Sequence, residues 1–200
     1  MKRPYPTYDV LARWESPSFN DATRETLTER LERVPERRFF TEDEWSRLEA
    51  VVARLIPQPD RARPIPITPW IDQKLVEERG EGYRFDDLPP QAQAWRRGLA
   101  GIEAEAQKRL SKSFVDLGAD DQDLILRCVE LGEIDGDAWG DMSAQRFFSE
   151  LLVRTVATLY YAHPVAWNEI GFGGPAGPRG YVRLGVGERD PWEAPQESVQ

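Results

Sequence analysis

The stretch RFFSELLVRTVATLYYAHP (residues 146–164) and its continuation VAWNEIGFGGPAGPRGYVRLG (residues 165–185) are two very different kinds of sequence. In the first, Phe148, Leu151, Leu152, Thr155, Val156 and Leu159 share one helical face, flanked by Phe147, Val153 and Tyr160. Only Arg146, Glu150, Arg154 and Tyr161 form a polar strip, with Glu150 and Arg154 one turn apart. A helix apolar over more than half its circumference is buried from more than one side, so this segment is expected at the centre of an all-α fold. The second stretch is too rich in glycine, proline and aromatic residues to form a core of its own. It is expected to be free of helix and to lie as a strap over another surface.

Outward from that helix, the clearest local signal is FFTEDEW at residues 39–45. Thr41 and Glu44 have the spacing of a capping box, and Phe40 and Trp45 occupy hydrophobic-staple positions. Trp45, Leu48, Val51, Val52, Leu55 and Ile56 then fall on one face, and Pro57 stops the helix. A shorter helix is expected over 21–34, with Leu27, Leu31 and Val34 on one side and Pro35 at its end. Prolines 57, 59, 64, 66 and 69 make the next segment mostly extended. Thr68 is expected to cap the helix WIDQKLVEER, with Pro69 in its first position and Gly80 closing it; Gly80 to Leu88 reads as loop.

Pro89 and Pro90 open a helix to about Leu110 whose Trp95, Leu99, Ile102, Ala106 and Leu110 make a narrow stripe. That stripe predicts a helix on the outside of the fold. Gly98 and Gly101 inside it cost about 1 kcal/mol each against alanine, which points to close packing or a bend. Asp120 is expected to cap LILRCVEL, with Gly132 past its end. EIDGDAWGDM reads as a loop; it lacks the acid spacing and terminal glutamate of a calcium loop. Residues 1–20, with Pro4, Pro6, Trp14, Pro17 and Phe19, have no period and read as an extended arm. The expected architecture is a single irregular helical domain: arm 1–20, helical domain 21–163, and a non-helical tail 164–200 packed on the domain, a partner or both.

Two hundred residues suffice for one domain with a real core. Lysine and arginine number 26 against 35 acids, a net charge of −9, and the basic residues are interleaved with acids as in RETLTERLERVPERR. A solvated face explains that pattern, and no nucleic-acid partner is expected, because phosphate contact needs clustered Lys and Arg. The single cysteine, Cys128, rules out an internal disulfide, a CxxC metal site or CxxCH haem attachment; in LILRCVEL it reads as a buried, inert thiol. No apolar run is long enough for a membrane span. MKRPYPTYDV has neither an apolar core nor twin arginines, so no export signal is read there, and the expected compartment is the cytoplasm unless a signal-bearing partner carries the chain out.

The sole histidine, His163, cannot by itself make a His-rich zinc site, and no nucleophile elbow accompanies it. Capping the last carbonyls of the preceding helix is the expected role. Gly171, Gly173 and Ala176 formally satisfy G-x-G-x-x-A, but Pro175 and Pro178 stand where a dinucleotide site needs a helix N-terminus. No catalytic, cofactor-binding or metal residue is therefore assigned to this chain.

FFTEDEW, a following helix ending in IP, and a helix with FF and YY leading into HPVAWNEIGFGGPAGPRGY together resemble the gluconate 2-dehydrogenase subunit 3 family. The resemblance runs from about residue 8 to residue 193 with the order of segments kept. It implies a small, mostly helical, non-catalytic subunit that binds no cofactor and stabilises a large FAD-dependent catalytic subunit of the glucose–methanol–choline class. It also implies a sugar, polyol or alcohol as the complex's substrate, a cytochrome subunit in some complexes, and a role in maturation or export. The twin-arginine signal common in such subunits is missing from MKRPYPTYDV, which sets the export role apart from the subunit role.

The partner-facing residues expected on this reading are Tyr5, Tyr8, Trp14 and Phe19 of the arm, Ile65, Ile67 and Trp70 of the proline-rich segment, and Trp167, Phe172, Tyr181 and Trp192 of the tail. The alternative for these aromatics is that they tile this chain's own core. The alternative function is a stand-alone helical escort that leaves its flavoprotein client before the mature enzyme forms.

Overall fold

A computed structural model describes residues 4–17, 19–78, 85–134, 136–175, 180, 185, 188 and 190–195. Helices supply the regular structure, and no strand occurs among the described residues. They are α1 (Asp21–Glu32), α2 (Glu42–Leu55), α3 (Ile67–Val76), α4 (Gln91–Leu110), α5 (Ala119–Leu131), α6 (Gly136–Trp139), α7 (Ala144–Arg146), α8 (Arg154–Ala162) and α9 (Pro164–Ile170), with 3₁₀ turns at Val10–Arg13 and Phe114–Asp116. The chain forms two compact units: a middle unit, Pro35–Leu159, and an end unit built from both termini, Met1–Val34 and Tyr160–Gln200. The expected divisions at residues 20 and 163 do not coincide with these, and one boundary lies within α8.

In the middle unit, α2 starts on the reciprocal cap that its sequence spells. Thr41 Oγ1 accepts from the Glu44 N–H at 3.3 Å, and the Glu44 carboxylate accepts from the Thr41 N–H at 2.9 Å. Just ahead of it, the fully buried Asp72 of α3 accepts the N–H groups of Arg38 (2.8 Å), Phe39 (3.0 Å) and Phe40 (2.9 Å). Those bonds satisfy the buried carboxylate and fix the approach to α2. α3 itself begins before Thr68, which is buried inside the first turn instead of capping it. Pro69 is tolerated there because first-turn N–H groups have no intrahelical acceptor. α5 likewise starts earlier than expected, with Gly118 at its N-cap and Asp120 in its first turn; Gly132 ends it in the left-handed conformation. Cys128 is buried, as its setting implies.

The expected external position of α4 is corrected. Ala94, Trp95, Gly98, Leu99, Gly101, Ile102, Glu105 and Ala106 are all buried, and the helix packs against α2, α5 and α6. The two glycines explain the difference. A Cβ on Gly98 would come within 2.1 Å of the Phe147 ring, and one on Gly101 within 2.6 Å of the Trp139 ring. Each glycine is a seat for an aromatic ring, so a stripe that looks narrow in sequence is broad in space. The rings form a continuous run, Phe39–Phe40 (4.9 Å), Phe40–Trp95 (6.4 Å), Trp95–Phe147 (6.0 Å) and Phe147–Trp139 (5.9 Å). Trp139 belongs to α6, a short helical turn within the segment read as loop.

Between α7 and α8 the helix of the opening stretch is a π-helix over Phe147–Val153, a departure from the regular α-helix expected. Its Phe147, Phe148, Leu151 and Leu152 are buried, as the apolar circumference requires. Glu103 of α4 is held below the ordinary glutamate range. Burial pushes its pKa up, but the Phe114 N–H, Gln107, Ser113 and the Arg47 guanidinium 3.0 Å away together outweigh that push.

The end unit corrects the reading of the tail. Residues 164–170, expected free of helix, form α9, with Pro164 at its start and Gly171 (φ 67°) ending it in the left-handed conformation. His163 is the N-cap of α9, its Nδ1 accepting from the Val165 N–H at 3.4 Å, a role at the start of this helix that was not expected from the sequence.

Candidate interaction surfaces

The end unit is a clasp between the two ends of the chain. Its core is Val10, Phe19, Leu27 and Trp167, with Tyr8, Leu11 and Trp14 packed against it. Polar pins fix the approach. The Val10 N–H donates to Asn168 Oδ1 at 2.8 Å, and Asn168 Nδ2 donates to Asp9 Oδ1 at 3.2 Å. The Tyr8 hydroxyl lies 3.0 Å from the Phe172 carbonyl and 2.8 Å from that of Trp192, its one proton shared between two acceptors. The Arg13 guanidinium stacks on the rings of Tyr8 (5.4 Å) and Trp192 (5.1 Å) and donates to the Trp192 carbonyl.

Two glycines of the tail allow this closeness. A Cβ on Gly171 would sit 2.8 Å from the Ala194 Cβ and 2.9 Å from the Tyr5 ring, and one on Gly173 would sit 2.9 Å from the Trp192 backbone. The Ala194 N–H in turn donates to the Gly171 carbonyl at 2.9 Å. The GFGG run therefore serves backbone approach within this unit.

The clasp sorts the aromatics expected to face a partner. Phe19 and Trp167 are buried inside it, where they hold the surface and do not present it. Tyr5, Tyr8, Trp14 and Trp192 are half-buried. Phe172 is 41% exposed, its ring standing edge-on to Trp167 at 5.4 Å. Tyr161 and Ile170, both exposed, complete the apolar surface of this C-terminal segment. Neither is among the residues expected to face a partner, although Tyr161 stands on the polar strip of the central helix and Ile170 is the last residue of a helix closed by glycine. Tyr181 lies outside the described residues.

In the middle unit, Ile65 and Ile67 are also buried and Trp70 is half-buried. The two isoleucines line an open groove of about 780 Å³ between the end of α2 and the proline-rich segment. Gln58 braces its wall, Nε2 donating to the Ile65 carbonyl (3.3 Å) and Oε1 accepting from the Ile65 N–H (2.8 Å). The expected residues are thus divided between the two units.

Among the described residues, no group of three or more His, Cys, Asp or Glu is placed to hold a metal ion, and no helix is long and apolar enough to cross a membrane. No curated protein and no solved structure matches the chain. The sequence model of gluconate 2-dehydrogenase subunit 3 matches residues 42–174, which span α2 through the GFGG run. That match covers more than half of the sequence, and the chain belongs to the gluconate 2-dehydrogenase subunit 3 family.

Proposed function

We propose that this chain, an accessory subunit of an oxidoreductase by its family, binds and stabilises the FAD-containing catalytic subunit of a sugar, polyol or alcohol dehydrogenase. It contributes no cofactor or catalytic residue of its own, and FAD belongs to the partner. The observation that carries this reading is the exposed edge of the clasp. Phe172 is held out by a ring contact to Trp167 and by the Tyr8 bond to its own carbonyl, with exposed Ile170 beside it in the chain. An aromatic fixed in advance loses little freedom on binding, which favours it as an interface anchor.

Co-expression with an FAD-dependent dehydrogenase from the same source tests this. One co-migrating species absorbing at the flavin band is expected, and Phe172→Ala with Ile170→Ala should weaken it by about 2 kcal/mol or more. A flavoprotein equally soluble and active without this chain would overturn the proposal.

A further inference from the structure

The middle unit exposes few large apolar side chains, and their positions are not scattered. Among the described residues of Pro35–Leu159 they are Val115 (42%), Leu124 (50%) and Leu131 (46%), all in the 3₁₀ turn before α5 or in α5 itself. Leu124 and Leu131 are seven residues apart, two helical turns, and so stand in line on the solvent face. Single exposed leucines are ordinary on a protein surface; two in line on a rigid helix, with only Val115 just ahead of it also exposed among the large apolar side chains of the unit's described residues, have the spacing by which helices dock. Ile125, Leu126, Cys128 and Val129 of α5 are buried against the rest of the unit, so the platform is fixed before anything binds.

Charge around the stripe selects its occupant. Asp116, Asp120, Asp121, Asp123, Glu130 and Glu133 are exposed on or beside α5, against one cation of its own, Arg127 between the two leucines. Arg54 of α2 pairs with Asp123 at 2.7 Å, Arg109 of α4 donates to the Glu133 carbonyl, and Arg127 lies 3.9 Å from Glu130; the six acids outnumber these cations and leave the face acidic. A second copy docked through the same face would bring acids against acids, and an anionic lipid surface would be repelled in the same way. We infer that α5 is a second docking surface, receiving a cationic amphipathic segment of the FAD-containing subunit, with its apolar side on Leu124 and Leu131 and its Lys or Arg residues against the flanking acids. The inference rests on the proposed function for the identity of the partner and is separate from the Phe172 edge.

The test measures association of the full chain with the flavoprotein, wild type against Leu124→Ser/Leu131→Ser and against Arg127→Glu. Thermal melts of the free chains establish that each variant is folded. The double serine variant should bind at least tenfold more weakly. Arg127→Glu should bind two- to fivefold more tightly at low salt, a gain that added salt removes. Unchanged binding by the serine variant, or weaker binding by Arg127→Glu, overturns the inference while leaving the Phe172 proposal standing. A wild-type chain that self-associates through this face, and is made monomeric by the serine pair, also overturns it in favour of a second copy. If the wild-type chain forms no complex with the flavoprotein, the proposed function itself fails.

Discussion

The two units reach stability by opposite routes. The middle unit has long helices whose apolar faces meet through rings seated on glycines, Phe147 on Gly98 and Trp139 on Gly101. The end unit has short elements and a small core, and its two chain ends are held by polar pins: Tyr8 to the carbonyls of Phe172 and Trp192, Asn168 to Val10 and Asp9. One unit depends on volume, the other on direction. A packing core fails cooperatively when its fit is spoiled, whereas a pinned clasp can open locally at a fraction of the cost.

Asp72→Ala should break the contrast most heavily. It strands the buried Phe40 N–H and removes the acceptor of the part-buried Arg38 and Phe39 N–H groups, and a loss of about 3 kcal/mol is expected, read by denaturant unfolding of the middle unit. Gly98→Ala comes next and decides between two opposed effects. Helix propensity alone would stabilise by about 1 kcal/mol. Overpacking against the Phe147 ring costs about 1–3 kcal/mol, and with the Cβ 2.1 Å from that ring the upper part of the range applies, for a net loss of about 2 kcal/mol. A stabilised Gly98→Ala protein would show that the ring is free to move aside.

Tyr8→Phe should cost about 1 kcal/mol and in a different manner. Amide exchange should quicken around residues 8–14 and 190–194 while the middle unit's melting holds. The smallest effect belongs to Glu103. Its folded pKa lies below the unfolded value, so it contributes stability above the ordinary glutamate range and loses that contribution as pH falls through the folded pKa. Glu103→Gln should flatten the acid limb of the stability curve by less than about 1 kcal/mol. A curve as steep as wild type would place the acid sensitivity elsewhere.

The same contrast explains what could be read from the sequence. The α2 cap was legible because all its partners lie within four residues, and the buried character of residues 147–160 followed from apolar circumference alone. The position of α4 was misread because hydropathy assigns glycine no surface to bury, while a ring from a distant helix can bury it completely. The proline at 69 drew the start of α3 too late, since a first turn accepts proline at more than one position. α9 carried readable punctuation, Pro164 at its start and Gly171 at its end, but seven residues gave too little periodicity to outweigh the glycines that follow. The π-helix has no local signature in FFSELLV. Of the candidate surface, the sequence shows that the aromatics are there, but which of them anchor the clasp and which stand clear of it depends on pairings between the two ends of the chain.

Gly98 and Phe147 are, in effect, one residue's worth of volume recorded at two places. Neither position can drift alone: a methyl group gained at 98 must be surrendered at 147, and Trp139 stands in the same relation to Gly101. Exchanges across this helix are therefore expected to arrive in matched couples. Gly98→Ala combined with Phe147→Leu should recover part of what Gly98→Ala loses, a positive coupling that neither single change reveals.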